Sequence, residues 1–402
     1  MKTGIKVLIR SAIHDAETGL VLRQRKAREN LVFDSALTNL ATGALNFATV
    51  FTACKIGSSA AANSIPGNTT LFTQAGNTIT ASAGFFTGAM VGQLFKYGVG
   101  TGGAEQYIAT VAGGGLSCTV LGAGMTVGTP TAGTVWNVGQ TGLTTPLTAL
   151  TGGCVSNTYV TSPGACGTSF PGGGTSTQIT LQRTYRFPVQ AAPYSVSEIG
   201  YSGNTSNDAT CSGRLVLGSP DTIAITEYYV VQIAITFTVS PNVPTALGNV
   251  GTGINTTGQV MFNFWDCWTV NTTGGAVNYQ TNYHRQIMDD GPPQLGLFTG
   301  VTPTLNANIA QVQGTLEAIT YGSSVGAAYT NATLPVGVAQ TTISFAFNTA
   351  GETVKAIYFG DFSSGIQTAA FALVLTTPFA LPNGTFQGNF IYQRQITRTL
   401  SN

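Results

Sequence analysis

The chain has 402 residues, a net charge of +1, 43% hydrophobic residues, 51 glycines and only 8% charged residues. Ordinary soluble proteins carry about 25% charge, and a surface this poor in charge self-associates unless neighbouring subunits cover it. The near-zero net charge gives no electrostatic basis for binding nucleic acid or an anionic membrane. No apolar run approaches the roughly 18 residues of a membrane helix, so neither nucleic acid nor membrane insertion is expected. Two or three domains of about 100–200 residues fit the length.

Seven of the 16 basic residues fall in the first thirty positions: Lys2, Lys6, Arg10, Arg23, Arg25, Lys26 and Arg28. Ile5, Val7 and Ile9 alternate with polar neighbours, Asp15 to Gly19 supplies a turn, and Leu20 and Leu22 resume the alternation, which predicts a β-hairpin. Such charges solvate an exposed hairpin or pair with an acidic neighbour. The reading followed here is a basic assembly arm whose edge adds to a strand of an adjacent subunit. Removing residues 1–30 is then expected to leave a folded body. The first residues do not read as a signal peptide, because Lys6, Arg10 and Asp15 interrupt any apolar region. A short helix follows, with Asp34 or Ser35 as N-cap and Leu37, Leu40, Ala41 and Ala44 on one face.

Between Glu105 and Arg183 the chain has no Asp, Glu, Lys, Arg or His. Residues 98–176 are rich in Gly and Thr, yet Tyr107, Ile108, Trp136 and Leu147 are too apolar for a solvated linker, so a β-rich insertion is expected there. Gln178 to Val189 alternates through Ile179, Leu181, Tyr185, Phe187 and Val189. Tyr228 to Val239 does so through Tyr229, Val231, Ile233, Ile235, Phe237 and Val239. Both are strand patterns.

An internal repeat has a constant offset of 158 residues. Tyr185 to Val189 lies over Ile343 to Phe347, and Val196, Ile199 and Tyr201 over Val354, Ile357 and Phe359. Leu215 to Leu217 lies over Leu373 to Leu375, and Pro220 over Pro378. The last strands, near Tyr228 and Phe386, match with a slip of about one residue. The expected fold class is therefore all-β: two tandem antiparallel β-sandwiches, with a duplication favoured over chance similarity of two β-rich segments, plus an N-terminal β-hairpin arm, one short helix and the Gly/Thr-rich insertion. The expected divisions are an N-terminal hairpin arm and helix (1–45), a first sandwich with the insertion (46–245) and a second sandwich (246–402).

The stretch from Arg28 to Ala41, RENLVFDSALTNLA, with Cys54-Lys55-Ile56-Gly57, resembles the N-terminal part of tail-associated structural proteins of tailed bacteriophages. Leu181 to Phe187, VSEIGYSG from Val196 to Gly203, Arg214 to Leu217 and the strand from Tyr229 to Val239 are similar to later stretches in the same order. The resemblance covers residues 28–60 and 178–240, and its motifs are structural. It implies a virion component of the tail fibre, baseplate or collar type, assembled in a host cytoplasm, homo-oligomeric and in contact with other virion proteins.

Chemistry is sparse. His284 near Asp289 and Asp290 matches no ligand spacing, and Asp-Gly-Pro-Pro is an ordinary turn. Nothing pairs any two of Asp266, Asp289, Asp290, Glu317, Glu352 and Asp361 as a glycosidase requires. Nucleophile-elbow and phosphate-loop patterns are missing. The chain is read as non-enzymatic, with no cofactor or metal. The six cysteines lack CxxC spacing and read as small buried thiols, with a Cys154–Cys166 bridge left open. Phe262, Phe264, Trp265, Asp266 and Trp268 concentrate aromatics beside one acid. Core packing is the commoner use of such residues. The functional use is a platform for a host surface glycan, which makes a receptor-binding adhesin the alternative to a structural subunit, with a capsid decoration protein as a third reading.

Overall fold

The computed structural model describes residues 2–45, 49–97, 104–122, 125–161, 177–206, 208–239, 245–250, 254–260, 294–298, 304–305, 310–311, 325–326, 334–349, 353–361, 368–380 and 384–399. In chain order the elements begin with β1 (Lys2–Asp15), β2 (Val21–Gln24), β3 (Arg28–Glu29), β4 (Leu31–Val32), helix α1 (Asp34–Thr42) and β5 (Ala53–Gly57). Next come β6 (Ser64–Gly76), β7 (Thr78–Ala81), β8 (Leu94–Tyr97), β9 (Ala104–Val111), β10 (Ser117–Leu121) and β11 (Met125–Trp136). β12 (Gly153–Thr161), β13 (Thr177–Phe187), β14 (Tyr194–Ser202), β15 (Gly213–Ile223) and β16 (Glu227–Val239) follow. The remainder gives β17 (Thr245–Val250), β18 (Ile254–Val260), β19 (Gln294–Phe298), β20 (Thr304–Leu305), β21 (Ala310–Gln311) and β22 (Val325–Gly326). β23 (Val338–Thr349), β24 (Thr353–Asp361), β25 (Thr368–Ala380) and β26 (Gly384–Arg398) complete it.

The protein is all-β and sandwich-like. One sheet runs β12-β13-β16-β1-β26-β23-β22, and a second runs β4-β15-β14-β5. Their facing residues make the main core. Alternation drives this: Tyr229, Val231, Ile233, Ile235 and Phe237 are fully buried, as are Tyr185 and Phe187 of the neighbouring strand. Val189 lies past the end of β13, beyond Pro188, and is exposed, contrary to its place in the alternating pattern. α1 buries Ala36, Leu37, Leu40 and Ala41 against the same core. It ends at Gly43, which takes φ 79°, a left-handed conformation that glycine adopts without strain. The N-cap is Phe33 rather than Asp34 or Ser35: Phe33 is extended and the helix begins at Asp34, whose carboxylate is engaged by Arg398 and Tyr107.

The 158-residue repeat reappears in the pairing. β13 pairs β16 and β14 pairs β15; correspondingly β23 pairs β26 and β24 pairs β25. Val196 and Glu198 lie opposite Asp221 and Val216 across a register shift. Val354 and Ala356 lie opposite Phe379 and Val374 across the same shift, each partner 158 residues on. Tyr185 faces Val231, whereas Ile343 faces Phe390, a one-residue slip in the last strand. The sheet order β17-β18-β25-β24-β19 repeats β4-β15-β14-β5 with one strand added at its end.

Two expected divisions change. The N-terminal residues are not a separate arm: β1 is an interior strand, paired with β16 from Thr3–Val239 to Asp15–Glu227 and burying Ile5, Val7, Ile9 and Ile13. The insertion also starts earlier than residue 98. β6 to β11 close into a barrel, β10-β7-β6-β11-β8-β9, filled by Phe72, Ile79, Phe86, Phe95, Ile108 and Val135. β12, expected within the insertion, belongs to the large sheet instead. The apolar residues of 104–136 needed partners from 64–97, which the Gly/Thr composition alone did not indicate.

Candidate functional site

The candidate site is the edge where the N-terminal hairpin meets β15. One side of β1 is filled by β16. The other is shared in succession by β26 at residues 2–5, β3 at Leu8 and Ile9, and β2 at residues 12–14. All four residues of β2 are exposed, and β2 pairs with no other strand among the described residues. Leu20, Val21 and Leu22 expose 67%, 53% and 49% of their surface. An open strand edge with apolar side chains is a template for pairing with another chain.

Beneath β2 lies a cavity of about 350 Å³ lined by Ser11, Ile13, Arg23, Arg25, Pro220 and Asp221, among others. Its floor is a closed hydrogen-bond set. Arg25 Nε donates to both Asp221 carboxylate oxygens at 2.9 and 3.0 Å, and Arg25 Nη2 donates to the Ser219 carbonyl at 2.7 Å. The Tyr229 hydroxyl and Ser11 Oγ donate to Asp221 Oδ2 at 2.8 and 3.4 Å. The bonded Asp221 holds the Arg25 guanidinium in its charged form more strongly than usual. Burial, with the Asp221 charge adding to it, pushes the Tyr229 phenol upward. Every acceptor of Asp221 is engaged within the protein, so this floor braces the sandwich and offers no free carboxylate.

The other residues of the basic segment divide into paired and unpaired. Lys6 pairs with Glu29, and Arg23 reaches Glu227 at 3.4 Å and the Thr222 carbonyl at 2.6 Å. Arg10, Lys26 and Arg28 are exposed and form no ion pair among the described residues. Lys2 opens β1. His14 stacks on Tyr228, ring centroids 4.9 Å apart, and the Arg186 guanidinium lies 3.9 Å from the Tyr228 ring centroid.

Residues that the sequence reading missed hold the barrel to the sandwich. Arg214 Nε donates to Glu198 Oε2 at 2.6 Å, with both side chains essentially inaccessible. Glu198 also accepts the Thr144 and Thr145 backbone N–H groups at 3.0 and 2.7 Å. Arg214 Nη1 donates to Asn63 at 2.9 Å. These partners flank the barrel on both sides. Nearby, Lys55 Nζ donates to Asp208 at 2.6 Å, and this bond, with those from Ser206 and Thr210, holds the Asp208 carboxyl well below its usual range. At the far side Arg398 of β26 bonds Asp34 and, at 3.2 Å, the hydroxyl of Tyr107 from the barrel. A signal was present: in so uncharged a chain, Glu198 is the one charged residue of β14, and β15 carries Arg214 with only Asp221 besides.

Phe262, Phe264, Trp265, Asp266 and Trp268 lie outside the described residues, as do His284, Asp289, Asp290, Glu317 and Glu352. Asp361 ends β24. Among the described residues no three His, Cys, Asp or Glu side chains gather to hold a metal. Cys54, Cys118 and Cys211 are buried free thiols, the latter two pushed up to about 12 chiefly by burial, while Cys154 is exposed and free. Comparisons with protein-family models, curated proteins and solved structures found no match to this chain.

Proposed function

We propose that the chain is a non-enzymatic structural subunit of a tailed-phage virion, of the tail fibre, baseplate or collar type, working as a homo-oligomer among other virion proteins. The observation that carries this reading is the convergence of the two resembling segments. Residues 28–60 supply β3, β4, α1 and β5, and residues 178–240 supply most of β13 and all of β14, β15 and β16. Although more than a hundred residues apart in sequence, they pack around one shared core, while the barrel between them has its own. A segment pattern that closes on itself in this way behaves as one inherited structural unit with an inserted module. The scarcity of charge supports a role in which much of the surface meets other subunits.

The attachment arm is not part of the proposal, because β1 is an interior strand. Immunogold labelling of purified particles with an antibody to this chain is the test. Gold on the tail or neck is expected; gold on the capsid shell would move the assignment to a decoration protein. Particles without the chain would overturn the reading.

A further inference from the structure

The ion pairs leave an uneven remainder. Glu29, Asp34, Glu105, Glu198, Asp208, Asp221 and Glu227 are all in salt bridges. Among the acids whose side chains are described, that leaves Asp15 and Glu17, both at the tip of the β1–β2 turn. The unpaired cations Lys26 and Arg28 lie just past the other end of β2. Along one short edge the order is therefore acidic turn, exposed Leu20-Val21-Leu22, then basic segment.

Such an order is complementary to itself when reversed. We propose that a second copy of this chain docks on β2, strand against strand and antiparallel, about a two-fold axis through Leu22. A two-fold contact uses the same patch on both partners. With Leu22 opposite its own copy, the Leu20 side chain comes to the level of Gln24, its main chain staying bonded to Asp15 and Thr18 within the hairpin. Glu17 comes to the level of Ala27, between Lys26 and Arg28 of the other chain. Val21 and Arg23 lie opposite one another. A register centred on Arg23 would set like charges face to face, which is destabilising. A parallel arrangement would place acid beside acid and base beside base. The antiparallel contact sets two β2 edges side by side at Leu22, the extra residue of β2 where its register against β1 shifts. It covers the exposed Leu residues and brings the large sheets of two copies together. It concerns the partner of this edge alone and holds whether or not the particle is a tailed phage.

The test combines sedimentation equilibrium with site-directed cross-linking of the full chain. The wild type is expected to dimerise reversibly, and Leu22→Glu to weaken the dimer at least tenfold without altering circular dichroism. Glu17→Lys is expected to weaken it less, and Glu17→Lys with Lys26→Glu and Arg28→Glu to restore it. In a Cys154→Ser background, Leu22→Cys is expected to cross-link into covalent dimers and Gln24→Cys to remain at background level. A monomer at all concentrations would overturn the proposal. So would an oligomer indifferent to Leu22→Glu, or cross-linking at Gln24 instead of Leu22.

Discussion

The two repeats share strand order, pairing and even a register shift, but they solve two local problems differently. Beside its last strand the first repeat has β1, antiparallel to β16 along almost its whole length. The second repeat has the same β1 on its other side, parallel to β26, and only from Lys2–Gln395 to Ile5–Arg398. The second difference lies at positions 198 and 214. The first repeat buries Glu198 and Arg214 there; 158 residues on, the same register positions carry Ala356 and Ala372. The ionic version accompanies the barrel, whose flanking residues it binds. The comparison teaches that the repeat's backbone does not need the buried ion pair, which serves the joining of the barrel, and that the two repeats draw on β1 to different extents.

The largest expected effect tests the first difference. Deleting residues 1–15 removes Ile5, Val7, Ile9 and Ile13 from the core, and each buried side chain of this kind is worth about 1.5–3 kcal/mol. Domains are stable by only about 5–15 kcal/mol. The variant is expected to lose its cooperative melt and near-ultraviolet circular dichroism. A soluble, cooperatively melting product would mean that the repeats fold without the strand they share.

The second difference sharpens into a double-mutant cycle. Glu198→Ala and Arg214→Ala each leave a buried charge without its partner, at a cost of about 3–5 kcal/mol. The double variant recreates the Ala pair of the second repeat. It is expected to cost less than the sum of the singles by at least about 1 kcal/mol, measured by urea unfolding. It will not be neutral, because the Thr144 and Thr145 N–H groups lose their acceptor. Strict additivity would show that the two side chains act independently.

Much of this architecture was legible in the sequence because alternation and the 158-residue offset are local signals. The register-shifted pair β14/β15 kept the offset, and the slip foreseen near Phe386 is a real shift in the β23/β26 register. What failed was non-local. A hairpin rich in Lys and Arg looks solvated, but Lys6 and Arg10 decorate one face of a strand whose other face carries Ile5, Val7 and Ile9. Whether such a strand lies at an edge or in the interior depends on β16 and β26, more than two hundred residues away. The start of the barrel was missed for a related reason: Thr and Gly in β6 and β7 hide a core made by Phe72, Phe86 and Phe95 from three separate segments. Phe95→Ala is expected to cost about 3–5 kcal/mol, read as lost hydrogen-exchange protection in β6 to β11, with β14 and β15 unchanged. Equal loss in both regions would mean that barrel and sandwich unfold as one unit.

The smallest effect concerns Lys55 and Asp208. The Lys55 bond and the Ser206 and Thr210 hydroxyls lower the folded carboxyl below its unfolded value of about 3.9. A depressed folded pKa means that the bonded carboxylate contributes stability above about pH 4, and that this contribution disappears as pH falls through the folded value. Asp208 is 42% exposed as a side chain, so solvent screens the pair and the contribution is about 1 kcal/mol or less. Position 366, which is 158 residues beyond 208, is Ile, a side chain that cannot ionise. Asp208→Asn is expected to lower the melting temperature slightly at pH 7, with the gap to the wild type narrowing progressively as pH falls from about 4 toward 2. An undiminished gap at pH 2 would mean that the side chain acts through loop shape, with its charge irrelevant.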